Sequence, residues 1–194
     1  MSRRVMVEFL SVDGVTQGLG SPDEDTSGGF TRGGWGAPYA AAMGQVVSPD
    51  GLAHTSGYLF GRRTYEKMAA FWPGQPDTDP MANSLNHTPK YVVSRTLTDA
   101  EWPGTRILRG DLAAEVQEVR TGSDGDLVVL GSGMLCRALL AADLVDELRL
   151  FVHPLLLGAG RLLFAELPEA RPLSLTSVSS TDLGTVALVY DLRR

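Results

Sequence analysis

Cysteine is nearly absent. Cys136 is the single one in 194 residues, which excludes an internal disulfide and leaves a small apolar residue within a helical pattern. Long apolar runs are missing too. Nothing approaches the roughly 18 consecutive apolar residues of a membrane-spanning helix, and the start, MSRRVMVEFLSVDG, has too short an apolar run for a signal peptide and no small-residue cleavage site after it. Basic charge is in deficit: 17 Lys and Arg stand against 23 Asp and Glu, a net charge of −6. With no local basic stripe, that argues against a nucleic-acid-binding surface. The three histidines lie far apart, and no Cys/His cluster has metal-ligand spacing, so no metal site is expected. What is present, 43% hydrophobic and 21% charged residues, is ordinary for a soluble globular protein. A single cytoplasmic domain over residues 1–194 is expected, with no membrane or nucleic-acid partner.

The stretch Asp126–Pro154 organises the chain: strand, glycine turn, helix, strand. Leu127–Leu130 is an apolar, partly β-branched run of the kind buried on both faces of a sheet. Gly131-Ser132-Gly133 follows, then a helical pattern over Met134–Ala142, then alternation through Leu148, Leu150 and Val152. A backbone that turns on two glycines and opens a helix points free N–H groups outward, a ready place for an anion. Taken alone, the Gly-x-Gly signal describes a tight β–α turn as well as it describes a nucleotide site.

Two further strand ends repeat the chemistry. Gly61 separates a strand (Thr55–Phe60) from a helix that opens with Arg62, Arg63 and Thr64. Cations there oppose the helix dipole and make better sense with an anion between them and the free amides, although a solvated arginine pair is the plainer reading. The strand Lys90–Ser94 closes with Ser94-Arg95-Thr96, two hydroxyls around an arginine. The first strand, Val5–Val12, ends at Asp13-Gly14, where Asp13 is either a turn residue or a carboxylate near substrate. Thr16–Gly36 is a glycine- and acid-rich loop without periodicity, the pattern of a functional flap or mobile insertion. Its Trp35 is either an anchor pinning the loop to the core or a wall of a substrate pocket.

Helices are expected over Pro38–Val47, after Asp111 to Arg120 with Asp111 as cap, and briefly at Met81–Asn86. Short strands are expected at Thr105–Leu108, Leu173–Thr181 and Thr185–Leu192, the last two a hairpin across Asp182-Leu183-Gly184, and a turn at Thr121–Gly125. Strands alternating with helices and closed by a hairpin predict an α/β layered fold: a mostly parallel sheet with an antiparallel finish. Ligands of such sheets bind outside the carboxyl ends of the strands, so Asp13, Gly61, Ser94 and Gly131 are expected on one rim.

Several pieces, SVDG (11–14), GRRTYE (61–66), KYVVSRTL (90–97), VLGSGML (129–135), LVDELRL (144–150) and HPLLLGAGRLLF (153–164), occur in an order that resembles the dihydrofolate-reductase-like superfamily. The branch is that of the reductase domain of the riboflavin-biosynthesis deaminase-reductase. The resemblance implies a three-layer fold with a central sheet of about eight strands and an NADPH-dependent reductase in stand-alone form. It places Gly61, Arg62, Arg63 and Thr64 at the cofactor phosphates and Ser94, Arg95 and Thr96 at the 2′-phosphate. Gly131, Ser132, Gly133, Met134 and Leu135 fall at the pyrophosphate and nicotinamide side, and Asp13 near nicotinamide and substrate, where it is the candidate proton relay. Trp35 would line the substrate pocket. The implied substrate is a small heterocycle of the phosphoribosylamino-uracil kind, and the implied assembly a homodimer. Two features depart from the pattern: Trp35–Val47 has no Asp or Glu of the kind that grips a pterin, and no zinc deaminase motif occurs. The alternatives are a non-catalytic NADPH-binding protein on the same fold and a weak dihydrofolate reductase.

Overall fold

The computed structural model describes residues 2–121, 124–165, 167 and 169–192. Eight strands stand in the order β4-β3-β2-β5-β1-β6-β8-β7. They are β1 (Arg4–Ser11), β2 (Thr55–Gly61), β3 (Lys90–Val93), β4 (Thr105–Leu108), β5 (Asp126–Val129), β6 (Glu147–His153), β7 (Ser174–Ser180) and β8 (Val186–Asp191). Pairs β1–β5, β2–β5, β2–β3 and β3–β4 are parallel, and β7–β8 is antiparallel. This is the expected mostly parallel sheet with an antiparallel terminal hairpin.

The helices around it are α1 (Pro49–Ala53), α2 (Arg62–Phe71), α3 (Pro80–His87), α4 (Leu112–Thr121) and α5 (Gly133–Ala141). No helix among the described residues is long and apolar enough to cross a membrane. Of the expected turn at 121–125, Gly122 and Ser123 lie outside the described residues.

Chain contacts divide the protein into two compact units. The first takes the residues through Met6 and Pro49–Glu147; the second takes Val7–Ser48 and the residues from Leu148 onward. In the first unit all four β5 residues are buried, which is why the run carries no alternation. Helix α5 buries Leu135, Cys136, Leu139 and Leu140 along one face, each such leucine contributing about 1.5–3 kcal/mol of transfer free energy. Helix α3 starts where the Asp79 carboxylate accepts from the amides of Met81 (2.8 Å) and Ala82 (3.0 Å), with Pro80 in its first turn. It ends where the buried Lys90 ammonium donates to the carbonyls of Leu85 (2.8 Å), Asn86 (3.3 Å) and Thr88 (2.9 Å), supplying the partners the last turn lacks. Asp111 caps α4 as expected, accepting from the Ala114 amide at 3.0 Å. The guanidinium of Arg4 grips Asp146 through both carboxylate oxygens (2.9 and 2.8 Å).

One expectation is corrected. Residues Ala37–Gln45 form 3-10 turns rather than an α-helix, burying only Ala42; a run of alanines broken by Gly44 has no apolar stripe to dock, and tertiary burial is what normally holds such a helix. The short helix α1 lies in a stretch for which the sequence predicts no element, because five residues carry no readable period.

Candidate functional site

In the first unit, β2 and β5 are adjacent and parallel, so the turns leaving them meet. The Gly61 amide donates to the Gly131 carbonyl at 2.9 Å. A Cβ on Gly61 would lie 2.5 Å from Ser132 Oγ and 3.2 Å from the Ser132 nitrogen, so a side chain there would force Ser132 to shift, and glycine suits the close approach. Gly131 has φ of 84°, the left-handed conformation an L side chain resists, and the Gly131–Ser132 peptide is cis. Helices α2 and α5 start from these turns, and neither has a side-chain cap at its N-terminus. Their leading amides therefore remain as donors, with the positive ends of both dipoles behind them.

Around this double N-terminus stand the arginines. Arg62 donates to Thr96 Oγ1 at 2.8 Å and to Glu66 at 2.7 Å, which joins the β2–α2 turn to the segment after β3. Arg63 and Arg95 are exposed and pair with no described residue. Thus Gly61, Gly131 and Ser132 meet directly, as do Arg62 and Thr96. Ser94 also shapes the turn. Its buried hydroxyl accepts from the amides of Thr96 (3.2 Å) and Leu97 (2.9 Å), holding the turn that carries Arg95 and Thr96. Leu135 is a core residue, whereas Met134 beside it is 74% exposed. Thr64 and Gly133 lie in the first turns of α2 and α5.

The second unit holds Asp13 and Trp35. Asp13 accepts from the Ser11 hydroxyl (2.6 Å), the Leu157 amide (3.1 Å) and the Gly158 amide (2.6 Å). These donors, the hydroxyl first, hold its carboxyl down at about 2. A group so placed is ionised at neutral pH and clamps the turn after β6. Trp35 is buried, packs with Val15, Phe30 and Leu157, and donates its indole N–H to the Gln17 carbonyl at 2.8 Å. These contacts anchor the loop within the second unit.

The loop around Trp35 is built on Gln17. Its buried amide donates to the carbonyls of Asp25 (3.1 Å) and Ser27 (2.9 Å) and accepts from the Arg161 amide (3.1 Å). The Arg161 guanidinium in turn reaches Ser27 Oγ and Asp25. Gln17 escapes sequence reading because its partners lie far along the chain and no motif marks it. His153 escapes as well, although it opens the HPLLLGAG stretch. It is 2% exposed; Nδ1 lies 2.9 Å from Thr185 Oγ1, and Nε2 is buried with no hydrogen-bond partner.

Known proteins share this architecture. The YyaP protein of Bacillus subtilis (strain 168) is 28% identical over 135 residues, 68% of this chain and 71% of its own. A protein assigned by name to riboflavin biosynthesis, from Shewanella sp. PV-4, superposes with a TM-score of 0.74 at 18% identity over 99% of each chain. A dihydrofolate reductase from Enterococcus faecalis, solved with NADP(H), superposes with a TM-score of 0.58 at 16% identity over 99% of this chain and 97% of its own. These structures share the dihydrofolate-reductase-like fold. The sequence pattern of the RibD C-terminal domain matches residues 5–189, and on that match the chain belongs to the RibD C-terminal domain family.

Proposed function

We propose that this protein is an NADPH-dependent reductase acting on a small heterocycle of the ribosylamino-pyrimidine kind. The observation that carries the proposal is the pair of uncapped helix N-termini drawn together by the Gly61–Gly131 hydrogen bond, with unpaired Arg63 and Arg95 nearby. Backbone amides and dipole ends of this sort suit a pyrophosphate, and the Gly61 cradle, closed to any Cβ, leaves them bare.

In this reading the amides of Arg62–Thr64 and Ser132–Leu135 hold the bridging phosphates. Arg62 moves from Glu66 toward phosphate, and Arg95, with Thr96, takes the 2′-phosphate as an anion fork. The bound nicotinamide supplies the hydride; the chain binds, orients and shields. Asp13 and Trp35 act as positioning residues, Asp13 by fixing the turn at Leu157-Gly158 and Trp35 by fixing the loop through Gln17. The absence of any carboxylate between Trp35 and Val47 speaks against folate reduction as the main activity. A homodimer is part of the proposal, supported by β7, an edge strand whose seven residues are all exposed.

The test is a titration with NADPH and NADH, read by ligand fluorescence and melting temperature. NADPH is expected to bind more tightly. Arg95→Ala should weaken NADPH by about tenfold, the worth of one charge-assisted contact, and leave NADH unchanged. Failure of both nucleotides to bind would reject the reductase reading. NADPH binding without oxidation across a panel of pyrimidines would favour the non-catalytic alternative.

A further inference from the structure

Within the second unit, His153 is ringed by aromatic side chains. The Phe9 ring stacks with it at 6.2 Å between centroids, Trp35 meets it edge-on at 5.6 Å, and Tyr39 tilts over it at 4.9 Å. Phe9 also stacks on Phe151 at 4.9 Å. Trp35 and Phe151 are buried, whereas Phe9 and Tyr39 are half-buried.

The imidazole is fixed from behind. Nδ1 is hydrogen-bonded to the hydroxyl of Thr185, itself fully buried. Thr185 is held by reciprocal bonds with Thr181: its amide donates to Thr181 Oγ1 at 3.1 Å and its carbonyl accepts from the Thr181 amide at 2.9 Å. With one nitrogen anchored, the direction of the other is set. Nε2 is left without a partner in apolar surroundings, where a polar atom is costly to leave unpaired. No part of the proposed cofactor site uses this group.

We infer that His153 Nε2 is the polar contact that orients a flat, uncharged heteroaromatic ring stacked among Phe9, Trp35 and Tyr39, and so a specificity-determining residue of the substrate site. Aromatic faces select a flat ring, and one placed polar atom in an apolar lining fixes its orientation. Burial also lowers the tendency of the imidazole to take up a proton. A neutral ring offers Nε2 as donor or acceptor according to how the Thr185 hydroxyl points. A lactam edge, with N–H beside C=O, satisfies either form; a charged ring does not suit the site. The inference rests on the reductase reading for the kind of ring, and its test separates the two.

The chain has three histidines, and the side chains of His54 and His87 are 59% and 63% exposed, so they serve as internal controls for imidazole 15N spectra of the wild-type protein. With NADPH binding measured separately, 5,6-diaminouracil is the probe. Its addition should shift the His153 Nε2 resonance and leave those of His54 and His87 in place. His153→Asn keeps a nitrogen for Thr185 but removes Nε2; it should weaken the probe by about tenfold, with NADPH affinity within about twofold of wild type. His153→Gln, which restores a polar atom near Nε2, should recover part of that loss. A His153 Nε2 resonance indifferent to the probe, or unchanged probe affinity in His153→Asn, overturns the inference even where NADPH binds. Loss of NADPH binding in the wild type would instead reject the reductase reading.

Discussion

The two units treat their polar groups in opposite ways. In the first, the turns after β2 and β5 leave helix amides without a side-chain cap, and Arg63 and Arg95 without a partner among the described residues. In the second, the long loop closes on itself: Gln17, Asp13, Arg161 and the Trp35 indole all find partners inside the unit. The first is equipped to receive an anion. The second uses its hydrogen bonds to hold a shape, and the exception, His153 Nε2, sits among aromatic rings. On the proposed reading, binding uses donors that the fold leaves over rather than the acid- and glycine-rich loop.

The comparison can be broken most sharply at Gly61. In Gly61→Val the new side chain runs into Ser132, parting the two turns, and NADPH affinity should fall about 100-fold or more as amide contacts are lost together. Titration against NADPH checks this, and circular dichroism reports whether the fold is retained. In the second unit the large effect should fall on stability instead. Trp35→Ala should cost about 3–5 kcal/mol in urea unfolding, whereas Trp35→Phe, losing chiefly the bond to Gln17, should cost about 1 kcal/mol.

Lys90 gives a smaller, pH-dependent effect. Burial pushes its ammonium from 10.5 down to about 8. Between those values the unfolded chain still binds a proton that the native chain has released, so native stability rises with pH across that window. Lys90→Met should cost about 1–2 kcal/mol at pH 7, three carbonyls losing a donor, and its deficit against wild type should widen from pH 8 to pH 10. A deficit constant with pH would show that Lys90 does not titrate there.

The mildest change is expected at Asp13. Its carboxyl is depressed from 3.8 to about 2, so its contribution is complete above about pH 4 and lost as pH falls through 2. Asp13→Asn should lower hydrogen-exchange protection at Leu157 and Gly158 by about tenfold at neutral pH. Wild type should lose the same protection on acidification.

Much of the fold is readable from local signals. Apolar runs ended by glycine mark β2 and β5, Asp79-Pro80 and Asp111 mark the starts of α3 and α4, and Asp182-Leu183-Gly184 marks the terminal hairpin. The donors of the candidate cofactor site are legible for the same reason: they are strand-end glycines and the residues just after them. What the sequence conceals is whatever depends on distant partners. The bonds from Leu157 and Gly158 to Asp13 are not readable from the sequence. Nor are the bonds by which the Ser94 hydroxyl holds the amides of Thr96 and Leu97. Gln17 and His153 belong to no local pattern, since their roles come from Arg161 and Thr185.

The division of the chain into units has a consequence for synthesis. Strand β1 pairs with β5, Arg4 opposite Leu127, and the second unit joins residues before Ser48 to residues after Leu148. Neither unit is a continuous stretch of chain. On the ribosome strand β1 must therefore wait, its apolar residues uncovered, until β5 has been made, and the loop that carries Trp35 must wait longer for Leu157. Contacts so far apart in sequence make for slow folding and a prolonged exposure of sticky surface. The yield of folded protein should depend on the pace of translation between residues 49 and 147.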